Sequence, residues 1–415
     1  MTELRLTLFL GAVLFEAILV MSVYLAYRRK VAVWTIAALI LAPQALGLVT
    51  FAAGGDLQAG YSFWSRLLRL TESPPYEPFS ISGDPGLRRM VAAQPRTLPL
   101  PDSHSSSDIA SWQEIIRPKL RRDAFRLPAI GLRSPSERFV VLSTAELPGG
   151  IRRQFVKFSS FDGTAIPGYL FYTPNAPRRP AIIVISGHGY GIIETAGLTR
   201  SYQNSVALQL ARKGFVTFTP ELRGFGYLGA REGHEHRAVA RNALAAGTFY
   251  KAVVLRDLTI ALDRMAELPQ VDGRLAATGV SYGGELALAL TALDTRIEAA
   301  VVQGYGGEYT GKDMGDSGDE FSVCNHFCHL VPQLNRYLDE EGASMLVAPR
   351  PLMVVRGQEE GLSGSLLWPM LKNIYRSYGV QSSFQFVEQA GYHEYWLEPA
   401  IPFFLRHLPL DVSTQ

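Results

Sequence analysis

The chain has 415 residues, of which 47% are hydrophobic and 19% charged, a composition that excludes an intrinsically disordered protein. Lys plus Arg (40) and Asp plus Glu (38) nearly cancel to a net charge of +2, so no global field favours nucleic acid or another polyanion. Two cysteines exclude a disulfide-built scaffold and a four-thiolate metal centre.

The first segment, residues 1–55, is almost pure hydrocarbon. Leu6–Tyr27 carries one charge, Glu16, and Val31–Ala53 carries none. About 20 apolar residues in a helix span a bilayer, so each run is long enough to cross. Arg28, Arg29 and Lys30 between them leave room only for a tight hairpin. Three adjacent cations suit the cytoplasmic side, which predicts two transmembrane helices and an extracytoplasmic globular part. A secretory signal peptide reads less well: Glu3 and Glu16 interrupt its charged start and apolar core, and no small-residue cleavage site is evident. Glu16 receives no functional role.

Residues 56–136 are rich in Pro, Ser and Arg and read as a linker, with Ser73-Pro74-Pro75 and Asp102 to Ser107 as its clearest stretches. Within it Asp108 to Phe125 has helical spacing at Ile109, Trp112, Ile115, Ile116 and Leu120, with Pro118 as a flaw, and reads as a helix packed on the next domain.

Residues 137–410 alternate strands and helices. Arg152 to Tyr172 reads as a hairpin around Asp162-Gly163. Strands are predicted at Ala181–Ser186, Phe215–Pro220, Leu275–Val280, Ala299–Gln303, Pro351–Arg356 and Ser383–Val387. Helices are predicted at Ser205–Lys213, within Ala245–Leu268, and at Gly284–Leu293, Trp368–Tyr378 and Ile401–Leu408, the last with Pro402 in its first turn. Continuous apolar strands alternating with helices mean an α/β fold: a mostly parallel, doubly wound sheet covered on both faces.

Gly279-Val280-Ser281-Tyr282-Gly283-Gly284 follows an apolar strand and opens an Ala/Leu-rich helix. A sharp strand-to-helix turn holds a serine clear of the sheet, and side chains two residues before and after it would collide. That makes Ser281 a candidate nucleophile, with the amide of Tyr282 and the helix N-terminus facing a developing oxyanion. A serine hydroxyl needs a base. His104, His188, His234, His236, His326, His329, His393 and His407 compete, and a doubly wound hydrolase places its histidine after the last strand. His393, in Gln389-Ala390-Gly391-Tyr392-His393-Glu394, sits there, whereas His407 lies in the last helix. The acid should end the preceding strand, where Glu359 and Glu360 both qualify. Ser186-Gly187-His188-Gly189-Tyr190-Gly191 follows the first central strand, and its glycines let the backbone approach a substrate oxygen, which makes the amide of Tyr190 the second oxyanion candidate. His188 reads as a brace of that loop.

These residues resemble the α/β-hydrolase superfamily over about Trp112 to Leu408. Within it they are most similar to the dienelactone hydrolase-like and acetyl xylan esterase (cephalosporin C deacetylase)-like group. The resemblance rests on His188-Gly189-Tyr190, Arg223-Gly224-Phe225-Gly226, the Gly279–Gly284 elbow and His393-Glu394. Val271 to Arg274 and Ala348 to Leu352 add to it. It implies a Ser281–His393–Glu360 triad, since Glu360 stands where the group has aspartate. Tyr282 stands where the deacetylases carry glutamine, and the N-terminal hairpin is outside the group's plan.

Cys324, His326, Cys328 and His329 look like a metal cluster but lack a second spaced ligand pair, so no metal is expected and free thiols near the site edge are. The acids of Gly307–Glu320 lack calcium-loop spacing, and Arg231–Arg241 reads as a solvated face. The expected protein is a membrane-anchored serine esterase acting on a small-molecule ester without a cofactor, held to the lipid bilayer by its hairpin, with no nucleic-acid partner. Peptidase or amidase chemistry on the same triad, and a non-catalytic scaffold, are the rival readings.

Overall fold

In a computed structural model the described residues are 101, 105–127, 138–229, 236–305, 328–329, 331–332, 340–360 and 367–410. All belong to one compact unit, Pro85–Gln415. The expected hairpin of residues 1–55 and most of the linker lie outside the described residues. Among the described residues no helix is long and apolar enough to cross a membrane.

Nine strands form one sheet: β1 (Val140–Leu147), β2 (Ile151–Ser159), β3 (Ala165–Tyr172), β4 (Arg179–Ile185), β5 (Val216–Pro220), β6 (Val271–Val280), β7 (Ile297–Gln303), β8 (Leu352–Gly357) and β9 (Phe384–Gln389). Their order is β1-β2-β3-β5-β4-β6-β7-β8-β9. The first three pair antiparallel, as does β3 with β5; from β5 through β9 every pair is parallel. The expected parallel sheet is therefore mixed. β1 has no counterpart among the predicted strands because its exposed VVLSTAEL sequence carries no buried face of its own.

The helices are α1 (Ser106–Lys119, continued by a π-helical turn Leu120–Ala124), α2 (Val206–Arg212), α3 (His236–Ala245), α4 (Tyr250–Ala266), α5 (Tyr282–Leu293), α6 (Glu340–Met345), α7 (Leu367–Ser377) and α8 (Leu397–His407). In place of one amphipathic stretch over Ala245–Leu268, the chain breaks at Gly247 (φ +72°) into α3 and α4. α8 starts four residues earlier than predicted, so Pro402 sits inside it, beyond the first turn. In α1, Ile109, Trp112, Ile116 and Leu120 are buried as their spacing implies, but Ile115 is exposed.

Strand side chains alternate between faces, and both faces are dry. Ala181, Ile183 and Ile185 of β4 join one apolar cluster with α1, α4, α5 and α7, whereas Ile182 and Val184 join a second with α2 and α8. β8 splits the same way, Leu352 and Val354 against Met353 and Val355. This two-sided burial explains why the central strands are uninterrupted apolar runs. It also leaves their carboxyl ends as the place where loops converge.

Arg223 ties that architecture together. Its guanidinium meets Asp257 of α4 (2.6 Å) and Asp162 of the β2–β3 turn (2.6 Å), and Tyr250 donates a hydrogen bond to its carbonyl. The neighbouring Arg223 guanidinium overcomes partial burial to hold the Asp162 carboxyl well below its ordinary range. The Arg223-Gly224 motif is thus a structural clamp.

Candidate active site

The elbow forms where β6 meets α5. Ser281 sits between them with φ +61° and ψ −130°, a backbone conformation L-residues avoid. Its N–H donates to the Gln303 carbonyl of β7 (2.9 Å), and its carbonyl accepts from Glu285 (3.1 Å), so neighbours on both sides fix the strained turn. A Cβ on Gly279 would collide with the Gly283 backbone, and one on Gly283 with the Ile185 carbonyl of β4. The two flanking glycines are therefore demanded by the closeness of β4, β6 and α5. Tyr282 opens α5, where first-turn N–H groups point out of the helix's positive end.

Beneath the elbow, Glu285 of α5 is fully buried between Lys251 of α4 and Nδ1 of His329, and Lys251 also donates to the His329 carbonyl (3.1 Å). Burial alone would raise the Glu285 carboxyl, but Lys251 and His329 outweigh it and hold it down at about 2. The sequence gives no sign of this network, because its members are scattered over α4, α5 and the His329 segment.

His393 and Glu360 come from loops at the carboxyl ends of the last two strands. Nδ1 of His393 lies 2.9 Å from Oε1 of Glu360. The Glu360 side chain is 4% exposed, with Arg356 Nε 4.0 Å from its other oxygen. Glu359 is exposed, its backbone N–H donating to Gly391 (3.2 Å). The choice left open between the two glutamates is thus made by orientation: only Glu360 turns to the imidazole. The His393 ring lies over Gly304, where a Cβ would come within 2.7 Å of Cε1 and 3.2 Å of Val280, the residue before Ser281.

Tyr202 joins these parts. Its ring stacks on His393 (centroids 5.5 Å, 25°), its hydroxyl donates to the His188 carbonyl (2.7 Å), and the same hydroxyl is in hydrogen-bonding reach of the Ser281 side chain. Burial raises its pKa well above the phenolic norm. The Tyr202 segment also carries the histidine loop: Tyr395 donates to the Tyr202 carbonyl (2.8 Å), and Asn204 Nδ2 donates to Glu394 (3.0 Å). No local motif marks Tyr202, so it is absent from the sequence-based candidates.

The Gly187–Gly191 loop follows β4 beside the elbow; a Cβ on Gly187 would lie 3.1 Å from that of Ser281. The Tyr190 amide, expected to face an oxyanion, donates to Oε2 of Glu194 (3.2 Å), a buried carboxylate raised by desolvation. Gln203 shares that carboxylate (2.5 Å) and also accepts from the Gly187 N–H (2.9 Å). The amide is therefore already engaged by a loop brace. Glu221 braces the other side, accepting from Tyr227 (3.0 Å) and Leu222 (3.3 Å), and burial raises its carboxyl to about 7.

His188 turns away from the triad candidates. Its ring stacks on Tyr282 (5.0 Å, 29°), and its Nε2 lies 3.4 Å from Sγ of the buried free thiol Cys328. Burial pushes that thiol up to about 12. His407 packs on Phe403 in α8 (4.6 Å). Arg237 and Arg241 are exposed on α3, as a solvated face predicts. His104, His234, His326, Cys324 and the acids of Gly307–Glu320 lie outside the described residues.

The geometry agrees with what the chain matches. Residues 166–316 match the model of the dienelactone hydrolase family. A Bacillus subtilis (strain 168) protein named "Putative hydrolase YtaP" is 23% identical over 248 residues, 55% of this chain and 77% of that one. Among solved structures, a "putative acetyl xylan esterase" from Bacteroides fragilis NCTC 9343 superposes with a TM-score of 0.62 at 18% identity, covering 74% of this chain and 82% of its own. A glucuronoyl esterase from Solibacter usitatus gives a TM-score of 0.54 at 18% identity, with 75% and 96% covered. At these identities the solved structures speak for the fold. With its elbow inside the matched segment, the chain belongs to the α/β-hydrolase superfamily and is dienelactone hydrolase-like over that segment.

Proposed function

We propose that the protein is a serine hydrolase that cleaves a small-molecule carboxylic ester through Ser281, His393 and Glu360. The observation that carries the reading is the His393–Glu360 hydrogen bond of 2.9 Å, made between two strand-end loops on the side of the sheet where the strained Ser281 turn lies. With Nδ1–H donated to the buried carboxylate, the ring presents Nε2 as the basic nitrogen. Ser281 Oγ attacks the acyl carbon and its proton passes to Nε2. The carbonyl oxygen becomes an oxyanion held by the Tyr282 N–H at the α5 terminus and by the Tyr190 N–H, which it shares with Glu194. Collapse breaks the bond to the alkoxide, which leaves with the proton from Nε2. Water then repeats the sequence on the acyl-enzyme and releases the acid, returning the proton to Ser281. No cofactor enters these steps. The esterases among the solved neighbours agree with an ester, and say nothing of its acyl or alcohol part.

In the same reading, the two apolar runs of residues 1–55 anchor the chain in a bilayer with the hydrolase domain on the extracytoplasmic side. Reporter fusions after residue 60 test this: a periplasmic-type reporter should be active, and activity of a cytoplasmic-type reporter alone would reverse the orientation. For the chemistry, p-nitrophenyl esters of increasing chain length should be hydrolysed by the purified full chain, with the matching anilides far slower. Ser281→Ala should lower kcat by on the order of 10⁴-fold or more. Anilides cleaved as fast as esters would favour an amidase, and turnover unchanged by Ser281→Ala would remove the serine mechanism.

A further inference from the structure

We propose that His188, His236 and Cys328 form a zinc(II) site that pins the loop after β4 to α3 and to the Cys328 segment. The three side chains each offer a ligand atom, and these atoms all lie within 4.8 Å of one another. Zinc bound at about 2.0–2.1 Å to nitrogen and about 2.3 Å to sulfur sets tetrahedral ligand–ligand edges of roughly 3.3–3.6 Å. The His188 Nε2 to Cys328 Sγ distance of 3.4 Å already has that length. Closing the remaining edges asks only for side-chain adjustment. Two imidazoles and a thiolate are a borderline-soft donor set that suits zinc and disfavours magnesium or calcium.

The surroundings hold these groups from outside. The His188 and His236 rings lie 5.1 Å apart; His188 stacks on Tyr282, and His236 stacks on Phe225 (5.0 Å, 28°). Tyr282 donates its hydroxyl to the Cys328 carbonyl (3.1 Å), and Tyr202 donates to that of His188 (2.7 Å). His236 and Cys328 are buried and His188 is half-buried, so a metal here sits in a shielded pocket with one side toward solvent for a water as fourth ligand. The pattern is not the CNHFCH run that the sequence suggests, because only Cys328 of that run takes part. The site would be structural. It cross-links three segments far apart in the chain and fixes the backbone two residues before Tyr190, and no step of ester cleavage passes through the metal.

The test is metal binding by the untagged full chain. After stripping with a chelator, wild-type protein should take up about one zinc per chain. Cobalt(II) in its place should show the visible bands of a tetrahedral site with a thiolate-to-cobalt charge-transfer band in the near ultraviolet. Loss of an outer partner of a metal site costs 10–100-fold in affinity, so removing a direct ligand by Cys328→Ser or His236→Gln should weaken binding by more than about 100-fold. Cys328→Ser should also abolish the charge-transfer band. A wild-type chain that binds no zinc, or a cobalt complex without the thiolate band, overturns the site whatever the variants do. Binding unchanged in both variants overturns it equally. Metal uptake is read directly, so the outcome does not depend on whether Ser281 is the nucleophile.

Discussion

Glu359 and Glu360 are neighbours in sequence and opposite in role. Both follow the glycine that ends β8, and spacing alone leaves them equivalent. The buried orientation of Glu360 toward His393 separates them. Glu360→Gln should therefore lower kcat by on the order of 10²–10⁴-fold, since an amide neither stabilises the imidazolium nor enforces the productive tautomer. Exposed Glu359→Gln should remain near wild type. Steady-state kinetics of the pair decide it, and equal losses would contradict the assignment. Tyr202 makes a subtler case. Tyr202→Phe keeps the ring against His393 but deletes the hydroxyl shared with the His188 carbonyl and Ser281. A fall in kcat with little change in KM is expected, of roughly 10-fold if one positioning hydrogen bond of about 1.5 kcal/mol is lost. Ser281 and His393 stand out in the sequence because glycines and strand ends advertise them. Tyr202 does not, since stacking and a single hydroxyl contact leave no local pattern.

Among the elements, the β6–α5 elbow is legible in the sequence because its chemistry is steric: contacts at Gly279 and Gly283 exclude a side chain. Gly283→Ala should push α5 off the Ile185 carbonyl, removing activity and destabilising the fold by about 1–3 kcal/mol, measured by denaturant titration. The Arg223-Gly224 motif is legible as a motif, but its purpose is not. In the fold Arg223 fastens α4 to the β2–β3 turn, with Asp257 buried against it. Arg223→Ala would leave that carboxylate buried and unmatched, at an expected cost of about 3–5 kcal/mol. A small loss on unfolding would show that solvent reaches Asp257. Element ends are the least legible part. The break at Gly247 and the early start of α8 at Leu397 follow from tertiary packing, which overrides the proline and glycine punctuation.

For the whole molecule, the mixed sheet with two dry faces accounts for the uninterrupted apolar strands, and that pattern carries the fold class. The outer strand β1 leaves no such trace because exposure on an edge erases the periodic signal. The same packing strands charges inside, with a consequence for pH. Glu221 has its folded pKa raised by burial from 4.5 to about 7. Between those values the unfolded chain has released the proton while the folded chain retains it, so unfolding free energy falls as pH rises through that window. The decline is worth up to about 3 kcal/mol, at 1.36 kcal/mol per unit. Glu221→Gln should flatten that part of the profile in unfolding experiments on the full chain, and an unchanged slope would assign the pH dependence elsewhere.

The central claim is that Ser281 is an activated nucleophile. The most direct measurement is fluorophosphonate labelling of the purified full chain, with the modified peptide sequenced by mass spectrometry. The account predicts a single stoichiometric adduct on Ser281, absent from Ser281→Ala and strongly slowed in His393→Ala. A well-folded wild-type chain that stays unlabelled, or an adduct on another serine, would contradict it.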